Sequence, residues 1–175
     1  MIVKSQEIEE RAVERIAELM CAAARTAPKG RGVDNLVTMI VKGGTKDRIA
    51  EEMRRIGKTF NVPFFERDAG CVDKAALLVL FGQKVKVMGV NPCGYCGYPN
   101  CAENERQNGM CAISIGDLGI ALGSAVSVAS MHHADNRIMF SIGRAALNLE
   151  LFEEGVKIAY GIPLSITGKS PFFDR

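Results

Sequence analysis

The sequence predicts an α/β or α+β sandwich formed by a single domain, residues 1–175. Segments with helical and strand-like spacing of apolar residues alternate along the whole chain, which favours layered helices and sheet over a bundle or an all-β barrel. A chain of 175 residues suits one sizeable core, and 47% hydrophobic and 24% charged residues are ordinary for a soluble globular protein. No internal repeat or interdomain linker divides it.

Two amphipathic helices are predicted in the first third of the chain. The first runs from about residue 5 to 24, with Ser5 as N-cap and acidic residues in its first turn. The second begins with Thr45 as N-cap and ends near Asn61, before Pro63. The residues that we expect this second helix to bury have helical spacing: Ile49, Met53, Ile56 and Phe60.

Four strands are predicted from runs of apolar and β-branched residues. LVTMIVK (36–42) follows a loop with a proline and two glycines, and AALLVLF (75–81) is a continuous apolar run typical of a fully buried strand. RIMFSIG (137–143) and VKIAYGIPL (156–164) are predicted to be strands as well, with a short helix, AALNLELF, between them.

A long uncharged run between Asp117 and Asp135 is predicted to form a buried helix. Ser114 and Asp117 have the spacing of a capping box at its start. The run is just short of a membrane span, so we expect it to pack inside the protein. Its small residues would let a backbone, a helix or a flat ligand approach closely: Gly116, Gly119, Gly123, Ala125 and Ala129.

Charge and motif content exclude several classes of function. The net charge is +2 and the basic residues are dispersed among acids, so we expect neither a nucleic acid nor a membrane as partner. The N-terminus has no apolar segment typical of a secretory signal, and we expect a cytoplasmic protein. No Ser-His-Asp arrangement, P-loop or HExxH motif is present, which disfavours hydrolases and phosphotransferases.

Four of the six cysteines lie in residues 91–111, NPCGYCGYPNCAENERQNGMC, with the spacing Cys93-x2-Cys96-x4-Cys101-x9-Cys111. In a reducing compartment, clustered thiols more often bind metal or do redox chemistry than form disulfides. Structural zinc sites commonly pair two short knuckles, whereas three close cysteines and a remote fourth are typical of many iron–sulfur sites. The spacing therefore favours a [4Fe–4S] cluster, with structural zinc, and then a disulfide or unliganded thiols, as the alternatives.

The residues around these cysteines suit a cluster. Gly94 and Gly97 let the backbone turn sharply, and free N–H groups in such loops hydrogen-bond cluster sulfurs and tune the reduction potential. Tyr95, Tyr98 and Pro99 would supply a partly apolar shell that limits access of water.

The cysteine spacing also resembles known families. Cys-x2-Cys-Gly-x3-Cys followed by a later cysteine resembles the four-cysteine [4Fe–4S] domains of corrinoid iron–sulfur proteins and of membrane electron-transport complexes, although the last gap is usually longer there. Nearly the whole chain resembles a prokaryotic family of ferredoxin-domain-containing proteins. The matching pieces are NPCGYCGYPNC, DNRIMFSIGRAA and GIPLSITGKSPFFDR.

Parts of the chain look like flavin-dependent nitroreductases. The similar pieces are AARTAPKGRGVDNLVTMIV, DLGIALGSAVSVAS and AYGIPLSITGK. This resemblance implies an α+β nitroreductase-like sandwich, an intertwined homodimer and FMN bound at the subunit interface. It also implies the residues that approach the flavin and its phosphate: Arg25, Lys29, Arg31, Asn35 and Lys169.

One nitroreductase feature is missing from the first ten residues. Nitroreductases bind the FMN phosphate with an Arg-Arg-Ser-like segment, and MIVKSQEIEE contains nothing similar. Arg25, Lys29 and Arg31 would have to replace the phosphate contacts of that segment. At the other end, we expect PFFDR, residues 171–175, to pack on a partner subunit.

Together these features predict a redox protein with a [4Fe–4S] cluster and FMN, acting in electron transfer or in reduction of a small substrate, with a redox protein as partner. Two alternatives stay open. One is a non-catalytic protein whose four cysteines bind structural zinc, and the other is an electron carrier that has the cluster and no flavin.

Overall fold

The computed structural model describes residues 2–173, which form six α-helices and four β-strands. The helices are α1 (Ser5–Thr26), α2 (Gly44–Phe60), α3 (Pro63–Lys74), α4 (Cys101–Arg106), α5 (Ala112–Met131) and α6 (Phe140–Asn148). The strands are β1 (Leu36–Val41), β2 (Leu77–Lys84), β3 (Asp135–Asn136) and β4 (Val156–Ser165).

The four strands form one antiparallel sheet in the order β1-β2-β4-β3. Strand β2 lies inside the sheet, where Val79 faces Ile40 of β1 on one side and Ile162 of β4 on the other. Seven of its eight residues are buried, as the continuous apolar run predicts for a strand covered on both faces.

Helices cover both faces of the sheet, which makes the fold an α+β sandwich. Because side chains alternate along a strand, Val79 and Phe81 join α1 and α5 in one core, whereas Leu78 and Leu80 join α2, α3 and α6 in the other. The largest buried side chain on the first face is Phe81. The two cores and the central strand hold the loops that carry the candidate sites.

Helix α6 corrects the prediction for residues 137–143. RIMFSIG was expected to be a strand, but Phe140 begins a helix, and only Met139 makes a strand-like bridge, to Gly161 of β4. The small residue Gly143 allows the helix to lie directly on β4, since a Cβ atom there would be 1.9 Å from the carbonyl oxygen of Ala159. This close packing, rather than local β propensity, decides the helix.

The N-caps of the first two helices and the presence of the third also differ from the predictions. Lys4 and Gly43 are the N-caps of α1 and α2, in place of Ser5 and Thr45. Helix α3 was not predicted, because Pro63 was taken as the end of a helix; it occupies the first turn of α3, where a missing N–H costs nothing. Phe60, expected to be buried, is 66% exposed.

Helix α5 begins at Ala112 with Cys111 as its N-cap, so the predicted capping box is wrong. Ser114 and Asp117 lie inside the helix and turn toward the protein. The Ser114 hydroxyl accepts a hydrogen bond from Gln83, and the Asp117 carboxylate accepts one from the backbone N–H of Gly30. Both polar side chains are therefore used for tertiary contacts, which the local sequence does not reveal.

One face of α5 is covered and the other is open. Within residues 2–173, α5 is the one helix long and apolar enough to cross a membrane, and 39% of its apolar window is buried against the rest of the chain. Leu118, Ala121 and Leu122 pack in the core with α1. On the opposite side, Ile120 is half exposed, and a Cβ atom at Gly119 would meet no other atom within 4 Å.

The C-terminal aromatic residues differ in their surroundings. Phe172 is only 2% exposed and packs in the core formed by α2, α3 and α6 of its own chain, instead of on a partner as predicted. Phe173 is partly exposed, and the guanidinium carbon of Arg137 lies 5.0 Å from the centre of its ring. Residues 174 and 175, the rest of the predicted contact, lie outside the described residues.

Candidate cofactor sites

The four cysteines predicted to bind metal line a single cavity of about 320 Å³: Cys93, Cys96, Cys101 and Cys111. Most of its wall is apolar and comes from the segment between β2 and α4, with Met88, Tyr98 and Ile113 among the lining residues. The other two cysteines lie elsewhere, Cys21 on α1 and Cys71 on α3. The tertiary structure thus separates the clustered thiols from the two isolated ones.

Local structure brings each thiol to this cavity. Cys93 immediately precedes, and Cys96 lies within, a turn in which Gly94 and Gly97 have positive φ and the Gly97 N–H donates to the Gly94 carbonyl at 3.0 Å. Cys101 is the first residue of α4, which Asn100 caps by accepting the Glu103 N–H at 2.9 Å. Cys111 lies at the N-cap of α5 and is buried.

Cys96 is the cysteine with the clearest electrostatic environment. The backbone N–H of Tyr98 beside the thiol, and to a smaller extent the Asn104 amide, hold the pKa of Cys96 below its ordinary value, although burial acts in the opposite direction. The thiolate is the form that binds metal, so a lowered pKa favours the binding form.

The chemistry of the cavity fits a thiolate-bound metal centre. Thiolates bind both zinc and iron–sulfur clusters, so Cys93, Cys96, Cys101 and Cys111 are the residues that would hold either one. Among residues 2–173, no group of three histidine, cysteine, aspartate or glutamate side chains is already arranged around a single metal position.

The last turn of α1 and the loop after it contain four of the residues predicted to contact FMN, and two of these, Arg25 and Lys29, make hydrogen bonds within this region. Arg25 donates to the Asp34 carboxylate at 2.6 Å and to the Leu36 carbonyl at 2.8 Å. The Lys29 ammonium donates to three carbonyls at the end of α1, at 2.6 to 3.2 Å. Both cations therefore hold the loop in place and have fewer donors left for a phosphate.

The other two of these four residues contact the wall of the thiol cavity. Arg31 donates to the carbonyl of Met88 at 3.1 Å, and the amide of buried Asn35 lies 3.9 Å from the Met88 sulfur. Gly30 packs against the same wall, since a Cβ atom there would be 2.8 Å from Ile113. The loop predicted to approach the flavin and the segment predicted to hold the cluster are thus neighbours.

Lys169, the fifth predicted FMN residue, lines a different cavity of about 620 Å³. Three further cations line this cavity with it, from α3 and from the segment before α6: Arg67, Lys74 and Arg137. Asp68 of α3 is already bonded to Arg67 and to the Ser141 hydroxyl. The cavity therefore has an excess of positive charge.

Several residues of these sites were not predicted from the sequence. The three cations around Lys169 are 32 to 102 positions away from it in the chain, and nothing in their local sequence marks them as a group. Asn104 and Met88 were missed for the same reason. Asn100 followed three residues later by Glu103 is a recognisable helix start, and that signal would have placed Cys101 at the beginning of a helix.

The arrangement of helices on this sheet is that of the flavin-dependent nitroreductase fold. An oxidoreductase containing FMN superposes with a TM-score of 0.61 at 11% identity, over 89% of this chain and 68% of the other. A nitroreductase with bound FMN from Desulfitobacterium hafniense gives a TM-score of 0.59 at 16% identity, over 97% and 81%. At such identities the likeness establishes the fold.

The sequence comparisons establish the family. Residues 107–175 match the family described as "Uncharacterized protein containing a ferredoxin domain (DUF2148)", a region that includes Cys111. A protein of Archaeoglobus fulgidus is 38% identical over 184 residues, covering 100% of this chain and 98% of that protein. The chain belongs to this family of ferredoxin-domain proteins, and its nitroreductase-like fold and its family together support a redox role.

Proposed function

We propose that the protein is a redox protein of a reducing compartment such as the cytoplasm, with a [4Fe–4S] cluster on the four clustered cysteines. The observation that carries this proposal is the convergence of Cys93, Cys96, Cys101 and Cys111 on one apolar cavity. A cluster held there supplies one-electron transfer. The four thiolates bind it, and the apolar wall limits the access of water.

The groups beside Cys96 favour its thiolate form. The Tyr98 backbone N–H and, to a smaller extent, the Asn104 amide lower the pKa of this thiol, so they stabilise negative charge on a proposed ligand atom. Tyr98 also packs against the last part of the loop, because a Cβ atom at Gly109 would be 2.6 Å from its ring. Tyr98 therefore connects the part of the loop around Cys96 with the part that leads to Cys111.

We further propose that FMN binds near the cluster and that the two exchange electrons. The contacts of Arg31 and Asn35 with Met88 support a flavin position beside the thiol cavity. The cavity around Lys169, at the other end of β2, is the alternative position for the FMN phosphate, because four cations line it and one of them, Arg67, is paired with Asp68. With FMN present, reduction of a small oxidised substrate is the proposed activity; without it, the protein is an electron carrier.

A homodimer formed through the open face of α5 is part of the proposal. Gly116, Gly119 and Gly123 leave that face flat, and Ile120 gives it an exposed apolar side chain. A second copy of the helix would shield this surface from water. The nitroreductases that this chain resembles form dimers, which supports the same arrangement here. Burial of exposed apolar area is the driving force that we expect.

The test is the cofactor content of protein purified without oxygen. We expect a broad absorption band near 400 nm with about four irons and four sulfides per chain, as a [4Fe–4S] centre requires. FMN released on denaturation would establish the flavin. One zinc per chain with no visible absorption would overturn the redox proposal and leave a structural metal site.

A further inference from the structure

Cys111 is the clustered cysteine whose position the sequence defines least. Nine residues separate it from Cys101, and an extended segment of that length could place the two Cα atoms about 33 Å apart. Cys111 is nevertheless buried, with 7% of its surface exposed, and it lines the same cavity as Cys101. Contacts within the segment between them must therefore bring Cys111 to the cavity.

The end of α4 turns the chain back toward the cavity. The Gly109 N–H donates to the Asn104 carbonyl at 2.8 Å, and the Asn108 N–H donates to the Glu105 carbonyl at 3.0 Å. Asn108 has a φ of 52°, so the two bonds form the helix end known as a Schellman motif. The backbone of Asn104 thus fixes Gly109, which lies two residues before Cys111.

The side chain of Asn104 holds the next residue. Its Nδ2 donates to the Met110 carbonyl at 3.1 Å, and Met110 directly precedes Cys111. A flipped amide would set its oxygen against the Met110 carbonyl oxygen, so the nitrogen must face this acceptor. Asn104 is only 1% exposed and lines the thiol cavity from α4. One buried residue therefore fixes both of the positions that precede Cys111.

An asparagine is destabilising at this place unless its N–H group is needed. Oδ1 of Asn104 is buried, and no hydrogen-bond donor reaches it among the described residues. An apolar side chain of similar size would avoid the cost of that unpaired acceptor. The bond to Met110 is the contact that accounts for an asparagine here.

We propose that Asn104 is a positioning residue for Cys111: it holds the two preceding residues so that the Cys111 thiol faces the cavity as the fourth ligand. The inference rests on the proposed function, since it gives Cys111 its place in the metal centre. Asn104 acts through the backbone and is not itself a ligand. Loss of its N–H should therefore affect Cys111 before the other three clustered cysteines.

The first test measures the accessibility of Cys111 in the metal-free chain. Reduced protein is treated with iodoacetamide, and the rate of alkylation is determined for tryptic peptides by mass spectrometry. Trypsin releases Cys111 in residues 107–137 and the other three clustered cysteines in residues 87–106, so the two rates are measured separately. The readout therefore needs neither a cluster nor an activity.

The test compares Asn104→Leu, which removes the N–H and keeps the size of the side chain, with Gln107→Leu. The Gln107 amide donates to Glu103 on the exposed side of α4, which makes it a matched control. In Asn104→Leu we expect the alkylation rate of Cys111 to rise about tenfold, because loss of one hydrogen bond favours local opening by up to that factor. The control should keep the wild-type rate.

Cys71 distinguishes a local effect from a general loss of stability. It is 8% exposed, lies on α3 in the other hydrophobic core, and is released by trypsin in residues 68–74. We expect its alkylation rate to stay unchanged in both variants. A rise that Cys71 shares with Cys111 would overturn the positioning role, since it would report unfolding of the whole chain.

The second test uses protein purified without oxygen and an iron chelator. The rate at which the chelator removes iron should rise about tenfold in Asn104→Leu, because the Cys111 thiolate then leaves the centre more often. Gln107→Leu should release iron at the wild-type rate.

The outcomes separate this inference from the proposed function. Wild-type protein without iron and sulfide overturns the proposed function, and the alkylation rates still decide whether Asn104 positions Cys111. Wild-type protein that holds a cluster, with an Asn104→Leu variant whose Cys111 is alkylated at the wild-type rate, overturns the inference alone.

Gly109→Ala covers the case in which Asn104→Leu does not fold. The added Cβ atom would be 2.6 Å from the Tyr98 ring and 3.1 Å from Nδ2 of Asn104, so it displaces the turn that presents Met110 to the amide. We expect the same selective rise in the alkylation of Cys111. A folded Gly109→Ala variant with the wild-type rate overturns the inference.

Discussion

The carboxylate of Asp117 accepts the backbone N–H of Gly30 with both oxygens, each at 3.0 Å, although the two residues are 87 positions apart. Asp117 is 6% exposed and lies in the second turn of α5, whereas Gly30 belongs to the basic loop after α1. This contact fixes the loop against α5, the helix whose N-cap is Cys111. It therefore joins the basic loop to an element that carries one of the four clustered cysteines, as the Arg31–Met88 hydrogen bond joins the loop to the cavity wall.

Asp117→Ala should reduce the free energy of unfolding by about 1.5–3 kcal/mol, the usual value of a hydrogen bond to a charged group. The loss arises because the Gly30 N–H is left without its acceptor in a partly buried place. Chemical denaturation of the metal-free chain measures it. Ser127→Ala, which removes an exposed hydroxyl of the same helix, should change stability by less than about 0.5 kcal/mol. Equal effects in both variants would contradict the role of the contact.

Serine substitutions should divide the six cysteines into two groups. Cys96→Ser should abolish most of the absorption near 400 nm and lower the iron content, because an alcohol does not replace a thiolate as a soft ligand. We expect the same of the serine variants of Cys93, Cys101 and Cys111. Cys21→Ser is the control, since Cys21 lies on α1 and should leave the spectrum unchanged. A spectrum that survives Cys96→Ser would exclude this residue as a ligand.

The cavity around Lys169 should determine the affinity for FMN. Lys169→Gln should raise the Kd for FMN about tenfold, since loss of one charge-assisted hydrogen bond costs about 1.5 kcal/mol. Quenching of flavin fluorescence measures the affinity. Lys58→Gln, an exposed lysine at the end of α2, should bind FMN as the wild type does. If both variants bind equally well, the phosphate lies elsewhere; if the wild type binds no FMN, the flavin part of the proposal fails and the cluster part stands.

The open face of α5 should hold two copies of the chain together. Gly119→Arg places a long charged side chain on this face, where no other atom lies within 4 Å, so we expect a monomer in sedimentation equilibrium. Ile8→Arg, at an exposed position of α1, should leave the dimer intact. A wild-type protein that is monomeric, or that is recovered only with membranes, would contradict this interface.

Glu52 should make stability dependent on pH in the acid range. The Arg55 guanidinium hydrogen-bonded to it, together with the Asn148 amide, holds the pKa of this carboxyl below its ordinary value, although burial acts in the opposite direction. Because protonation then favours the unfolded chain, the stabilisation is fully present above about pH 4.3 and is lost as the pH falls through the folded-state pKa.

Glu52→Gln should therefore lower the free energy of unfolding by about 1–2 kcal/mol at pH 7 and make its decrease between pH 5 and 3 less steep. Urea denaturation at a series of pH values measures both effects. Glu51→Gln, at an exposed position of the same helix, is the matched control. A pH profile that is the same in Glu52→Gln and in the wild type would exclude Glu52 as a source of the dependence.

Elements with an unambiguous apolar pattern were predicted well. Helix α1, strand β1, buried strand β2 and strand β4 lie where their periodicity places them, and Ile49, Met53 and Ile56 are buried as predicted. The segment before α6 was not, because β-branched residues favour a strand locally while contact with β4 selects a helix. Helix α3 was not predicted, because a proline such as Pro63 is found both after the end of one helix and in the first turn of the next.

The sequence by itself determined the α+β alternation and the candidate ligands, because apolar periodicity and the chemistry of thiols are properties of local residues. Only the tertiary structure decided that four thiols share one cavity, that Arg31 reaches Met88 beside it, and that Lys169 lies in a different cavity. The reason is physical: these contacts join residues tens of positions apart in the chain. Their geometry depends on how the helices of the two hydrophobic cores pack on the sheet.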